Sequence, residues 1–423
     1  MTRAGALRRS SALAFALCIV AEPLSAEPRA FRVPGEMPFP EWVRSAEVTR
    51  ADEPIFQGPN SAEPRRGAAA RGARLPVFGS KRGAGCTTRF LLVGALAWLC
   101  QDGAKLSPDA PDTANEGALP RSHDGLPYRY HFVGPDGSFG YQAVQTAEDG
   151  VPYAQLLKGF GVAVRRIEKN PQGNPFGLTT EDLWVPMRDL SPVTPIAFHG
   201  RQLSGTLAVA WVTSPTAFAS NAPGKPQNPK LKSSRFQTLD VLEQRELAGH
   251  RWYRYAADAW LSDRDARAPT PAEVPGELRP GERWIDVDIA SQVLTAYVGD
   301  RPVFATLVST GRGNDGSVLA TPRGTHRLWV KLRGSNMDNL DDESAAENYA
   351  IQAVPWVMYF ERGYGLHGTF WHRAFGSKHS HGCVNLTPLD AEHLFGWTSP
   401  KLPPGWSAAL PTSYEPGTLI RVR

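Results

Sequence analysis

HGTFWHRAFGSKHSHGCVNL, residues 367–386, packs four histidines and one cysteine into twenty residues of a chain that has ten histidines and four cysteines in all. Three chemistries compete for the cysteine. His379, His381 and Cys383 alternate, so a strand would turn all three to one face, and zinc accepts both ligand types. Against a metal, structural zinc sites draw on well-spaced pairs, and ligands two apart on one rigid strand crowd a tetrahedron. A Cys-Gly pair in a turn can also be plain packing. As a nucleophile, a thiol needs a histidine to take its proton, leaving thiolate beside imidazolium. Gly382 allows close approach of a substrate carbonyl, and the N–H groups of Gly382 and Cys383 can face an oxyanion. His367, in GLHGT, is a histidine supplied by a second strand. The cluster taken together favours the nucleophile, with no metal and no organic cofactor.

Outward from this stretch, the sequence reads as a β-domain. Thr387 suits an N-cap, Pro388 the first helical position and Asp390 the positive helix end. PLDAEHLFG is expected to be a short helix stopping at Gly396, so Cys383 lies in a strand-to-helix connection. Upstream, WIDVDIA alternates Ile285, Val287 and Ile289 with Asp286 and Asp288, as in a half-buried strand. VLTAYVG, VFATLVSTG, THRLWVKL, VPWVMYF and GYGLHG continue a mostly antiparallel meander. MDNLDDESAAEN (337–348) is acidic, either a solvated loop or a lid over the site.

The Pro-rich run 267–282 is the clearest boundary. Before it, ALAWLCQDGAKLSP, EDLWVPMRDLSP and ADAWLSDRDARAP share a Trp-centred ending, and short apolar runs separated by Gly and Pro suggest small barrels or sandwiches. The expected division is a signal peptide 1–26, a leader 27–46, β units at 47–108, 125–193 and 197–266, the linker 267–282 and a C-terminal domain 283–423. SPDAPDTANEGALPRSHDGLP (107–127) and SPTAFASNAPGKPQNPKLKSS (214–234) are expected to be linkers or long loops.

Net charge is +4 over 423 residues, with no basic stripe, which argues against a nucleic-acid partner. MTRAGALRR, then SALAFALCIVA, then LSA before Glu27 has the layout of an export signal. That stretch is too short to span a membrane comfortably, and FLLVGALAWL (90–99) is about half the needed length. Cys18 follows the bulky Leu17, which speaks against lipidation. Export leaves Cys86, Cys100 and Cys383. Cys86 and Cys100 bracket a hairpin-like run and are expected to form a disulfide in an oxidising compartment, the alternative being two buried thiols. Cys383 is left as the odd thiol.

HGT (367–369) with SHGCVN (380–385), preceded by STG (309–311) and TPRGTHRL (321–328), resembles the L,D-transpeptidase catalytic domain of the YkuD-like family over about residues 283–423. The upstream units resemble bacterial Src-homology-3-like modules. The resemblance implies a mainly β fold: a C-terminal β-sandwich or barrel with a short helix after the cysteine, preceded by small β-barrels. It also implies Cys383 as nucleophile, His367 as base and then acid, and the Gly368 carbonyl orienting the His367 ring. His381, Gly382 and Cys383 would form the oxyanion turn, held by Ser380. Thr369 and Asn385 would lie at the substrate; many members have Arg where Asn385 stands. His381 is the poorer base, because some members carry Lys there. His372 and His379 read as solvated or near substrate. The implied partners are peptidoglycan stem peptides, in the periplasm or cell envelope. The acceptor is a second stem amine, a wall-anchored protein's lysine, or water, which would make the enzyme a carboxypeptidase. A wall-binding scaffold with little activity is the rival from another class.

Overall fold

The computed structural model describes residues 38–112, 124–147, 149–340 and 349–423. The expected signal peptide, Cys18, most of the leader and residues 341–348 of the acidic segment lie outside the described residues. The architecture is mainly β, with one α-helix, Pro388–Trp397, among the described residues. No helix among them is long and apolar enough to cross a membrane.

The C-terminal part is built on two sheets. One orders Arg201–Gln202, Arg301–Leu307, Val293–Val298, Arg283–Asp288, Leu419–Val422 and Gly324–Arg327. The other contains the long hairpin of Val330–Asp338 with Ala350–Glu361, followed by Tyr364–Gly368 and Val384–Leu386. Between them lies one core that includes Ile285, Val287, Met358, Leu366, Val384 and Leu394.

The strand Arg283–Asp288 is buried on both faces, not one. Asp286 is covered by Arg421 (2.7 Å) and Arg423 (2.9 Å), and Asp288 accepts from Thr270 Oγ1 at 2.7 Å. The Pro-rich linker and the chain's last strand thus close over the acidic face, and ion pairing satisfies the carboxylates.

The upstream part does not form closed barrels. Among the described residues no sheet closes on itself, although the last strand of each unit pairs with an early one: Ala104–Ser107 with Ser45–Val48, Leu190–Pro192 with Arg129–Val133, and Ala266–Arg267 with Val209–Val212. The reason is that the edges are used elsewhere. Arg65–Ala69 pairs with Trp406–Ala409 of the C-terminal part, Arg201–Gln202 pairs with Arg301–Leu307, and Gly161 pairs with Ile351. One sheet thereby runs from the first upstream unit through the C-terminal part to the second. Residues 214–234 are a hairpin, Thr216–Ser220 with Gln227–Ser234, instead of a loop. Ala217 and Ala219 supply its buried face, and Gly224 at φ +73° allows its turn. Trp98, Trp184 and Trp260 are all buried. Cys86 and Cys100 are joined in a disulfide, with Cα atoms 5.6 Å apart.

The helix is capped as its sequence suggests, with Thr387 Oγ1 accepting from Asp390 N. It runs one residue past Gly396. The buried Lys331 donates to the Phe395 carbonyl at 2.5 Å and the Thr398 carbonyl at 3.1 Å, and Lys401 donates to the Trp397 carbonyl. These amines satisfy the helix end, although burial lowers the Lys331 pKa to about 7.

Candidate active site

His367 lies on the strand Tyr364–Gly368, and Cys383 immediately precedes its parallel neighbour Val384–Leu386. The register pairs Leu366 with Val384, His367 with Asn385 and Gly368 with Leu386. Extended by one residue, it sets Cys383 abreast of Gly365. His367, two residues beyond Gly365, is then on the same face and diagonal to the cysteine. The thiol faces Gly363 O at 3.8 Å and is approached by the Gly365 N–H. Burial pushes its pKa up, and the Gly365 N–H opposes that.

His367 is 2% exposed. Its Nδ1 lies 3.2 Å from the Gly368 carbonyl and 3.3 Å from Thr369 Oγ1. A proton on Nδ1 donated to that carbonyl leaves Nε2 as the basic nitrogen. Trp371 stacks over the ring at 5.7 Å. Burial lowers the His367 pKa to about 4, and the Gly368 carbonyl works in the other direction. The thiol and the imidazole are therefore both neutral at pH 7.

The turn before Cys383 is tied to itself and to residues 309–311, which follow the strand Arg301–Leu307. Gly382 N donates to Ser380 Oγ (3.1 Å), which donates to Cys383 O (2.5 Å). The Gly382 N–H, one of the two donors expected to face an oxyanion, is thus engaged inside the turn. Gly382 has φ +122°, and a Cβ there would stand 2.4 Å from the Tyr364 ring, so no larger residue fits. Thr310 O accepts from His379 N (2.9 Å) and Ser380 N (3.1 Å). Thr310 is in turn held by the buried Gln292, whose amide bonds its N and its Oγ1 at 2.9 and 2.6 Å.

His381 turns away from the thiol: its Nε2 meets Arg312 at 2.9 Å and its ring stacks on Tyr349. Burial first, then Arg312, lowers its pKa. His379 packs against His372 instead of pointing with Cys383, so the three alternating side chains do not converge as metal ligands would. His372 is not solvated. Its Nδ1 accepts from Ala374 N (3.0 Å), and its Nε2 lies 2.8 Å from the Asn385 amide. With Nδ1 accepting, Nε2 carries the proton, which assigns the Asn385 oxygen to the position 2.8 Å from His372 and the NH2 to the buried side of the amide. Asn385 is 3% exposed and is fixed by this contact.

Gln292, Tyr364, Trp371, Tyr349 and Arg312 shape the site and were not singled out from sequence. The one local signal was the turn at Ser291-Gln292, where Gln292 takes φ +57°.

Residues 282–422 match the YkuD family model, described as the L,D-transpeptidase catalytic domain. No curated protein matches the chain. Among solved structures, an Enterococcus faecium L,D-transpeptidase is 22% identical, with TM-score 0.26, over 34% of this chain and 50% of its own. An L,D-transpeptidase from Mycobacterium smegmatis is 16% identical, with TM-score 0.27, over 55% of this chain and 89% of its own. The chain therefore spans about half the length of the enterococcal protein.

Proposed function

From the match of residues 282–422 to the L,D-transpeptidase catalytic domain, we infer that this protein is a cysteine acyltransferase acting on peptidoglycan stem peptides in the cell envelope. The observation that carries the reading is the parallel register that sets Cys383 and His367 on one face, with the His367 Nδ1 held by Gly368 O.

In the proposed reaction, Cys383 attacks the carbonyl of the third residue of a tetrapeptide stem as His367 Nε2 accepts the thiol proton. The Cys383 N–H faces the developing oxyanion. The C–N bond to the terminal D-Ala breaks, and His367 returns the proton to that amine, leaving a thioester. An acceptor amine then attacks the thioester and loses a proton to His367; the new amide forms as the thiol departs. A stem amine as acceptor gives a 3→3 cross-link. Thr369 fixes the base, and Asn385, held against His372, helps to set the loop. The chain division at 47–108, 125–193, 197–266 and 283–423 belongs to the same proposal.

The test is intact mass of the full chain after incubation with a carbapenem and, separately, with a disaccharide-tetrapeptide. A covalent adduct absent from Cys383→Ala, with D-Ala release and a dimeric product, is the expected result. D-Ala release with only tripeptide would make the protein a carboxypeptidase. No adduct on folded protein would leave a wall-binding scaffold.

A further inference from the structure

The loop that runs from His367 to Cys383 carries two phenylalanines that touch rings of the loop itself, Phe370 against Trp371 and Phe375 against His372, and are otherwise packed against the rest of the molecule. Phe370, 7% exposed, follows Thr369; Phe375, fully buried, lies midway. Their surroundings come from far upstream in the chain.

Phe370 packs on Tyr130 with ring centroids 4.3 Å apart and on Phe132 at 6.2 Å. Tyr130 also donates its hydroxyl to Ala353 O at 2.5 Å, on the hairpin beside the loop. Phe375 belongs to a separate core with Phe198, Val209 and Trp211 on one side and Val293 and Leu307 of the C-terminal sheet on the other. The next residue, Gly376, has φ +89°, and a Cβ there would stand 2.5 Å from Thr213 Cγ2. The upstream strand therefore touches the loop backbone itself. Between these two anchor points lies His372, the side chain that holds Asn385.

We propose that residues 126–132 and 198–213 are positioning elements of the active site, which grip the His367–Cys383 loop at Phe370 and Phe375 and so set the geometry of the reacting groups. The upstream units are then part of the acyl-transfer machinery's frame, in addition to any docking role. Such side chains touch no substrate; they act through the loop, and a small displacement at that distance is enough to spoil an attack geometry. This inference rests on the reading of Cys383 as the nucleophile.

The test uses the full chain with Trp211→Ala, Phe132→Ala and the milder Trp211→Phe. Trp211 Nε1 has no hydrogen-bond partner although it is buried, so phenylalanine gives up no bond there. Amide hydrogen exchange in residues 369–382 is expected to speed up tenfold or more in the alanine variants, with 283–288, which lies outside that core, unchanged. Acylation by a carbapenem is expected to slow tenfold or more in its limiting rate, with little change in the half-saturating concentration, and Trp211→Phe is expected to restore most of it. Unchanged loop exchange in folded variants would overturn the proposal. So would acceleration spread equally over 283–288, which would make the contact general support for the domain. If the wild-type chain is never acylated, the transferase reading fails, while the exchange measurement still decides whether the loop is gripped.

Discussion

His367 is withdrawn from water and Cys383 is half-buried, and desolvation moves their proton affinities apart, the ring down to about 4 and the thiol upward. Alkylation of Cys383 by iodoacetamide should therefore rise in one step above the ordinary thiol range, with no inflection near pH 6.5; a step near that value would mean the ring titrates freely. The same burial links to stability. An unfolded histidine takes its proton near pH 6.5 and the folded His367 ring near 4, so between those values the unfolded chain holds the extra proton and stability falls as pH falls. His367 alone should account for roughly 3 kcal/mol lost by pH 4. Urea unfolding of wild type and His367→Asn at pH 7 and pH 4 measures it, and the variant's slope should be flatter. At this scale the sequence was most legible, because HGT and SHGC are each contiguous and chemically unusual. The contacts of His372 were not legible, because they depend on Ala374 N and Asn385 meeting it in space.

Among the elements, the helix Pro388–Trp397 does more than follow the cysteine. Asp390, 2% exposed, accepts from Gly200 N at 2.8 Å and from Thr306 Oγ1 at 2.5 Å. One carboxylate thus joins the helix start, the central sheet and the segment entering from upstream. Its pKa is raised by burial, opposed by those hydrogen bonds. Asp390→Ala strands two buried donors and is expected to cost roughly 2–4 kcal/mol, read from the urea midpoint of the full chain. The cap, the proline and the acidic first turn made the helix easy to place from sequence, and Asp390 was recognised there for its charge at the helix end. Its second task was hidden, since Gly200 and Thr306 are distant in the chain. The hairpin at 214–234 was missed for a related reason: its Pro, Asn and Gly content reads as loop, while the pairing that makes it a sheet comes from Trp260 and the strand beside it.

The whole molecule is held by shared cores. Trp406 completes the core of the first upstream unit, Phe370 that of the second, and Phe375 joins the third. Cutting the chain at the Pro-rich linker would uncover all three. At roughly 1.5–3 kcal/mol for each large apolar side chain, the loss is comparable to the net stability of a domain. A fragment of residues 270–423 is expected to melt at lower temperature than the full chain and to bind the dye ANS; a monomeric, dye-silent fragment with unchanged melting would refute this. Periodicity was enough to find strands, yet it could not show that their edges join, because register between distant strands leaves no local trace. The pairing of Arg65–Ala69 with Trp406–Ala409 has a consequence in time. Arg66 donates to Leu410 O across 344 residues of chain, a stretch that takes roughly 17–70 s to synthesise. Through that interval the early strand has made its inner pairings and still presents an open edge, a template for any other nascent chain nearby. Contacts of such separation also slow the search for the native state, so refolding from urea should be limited by the return of the chain's final strands to its first, and dilution should raise the yield.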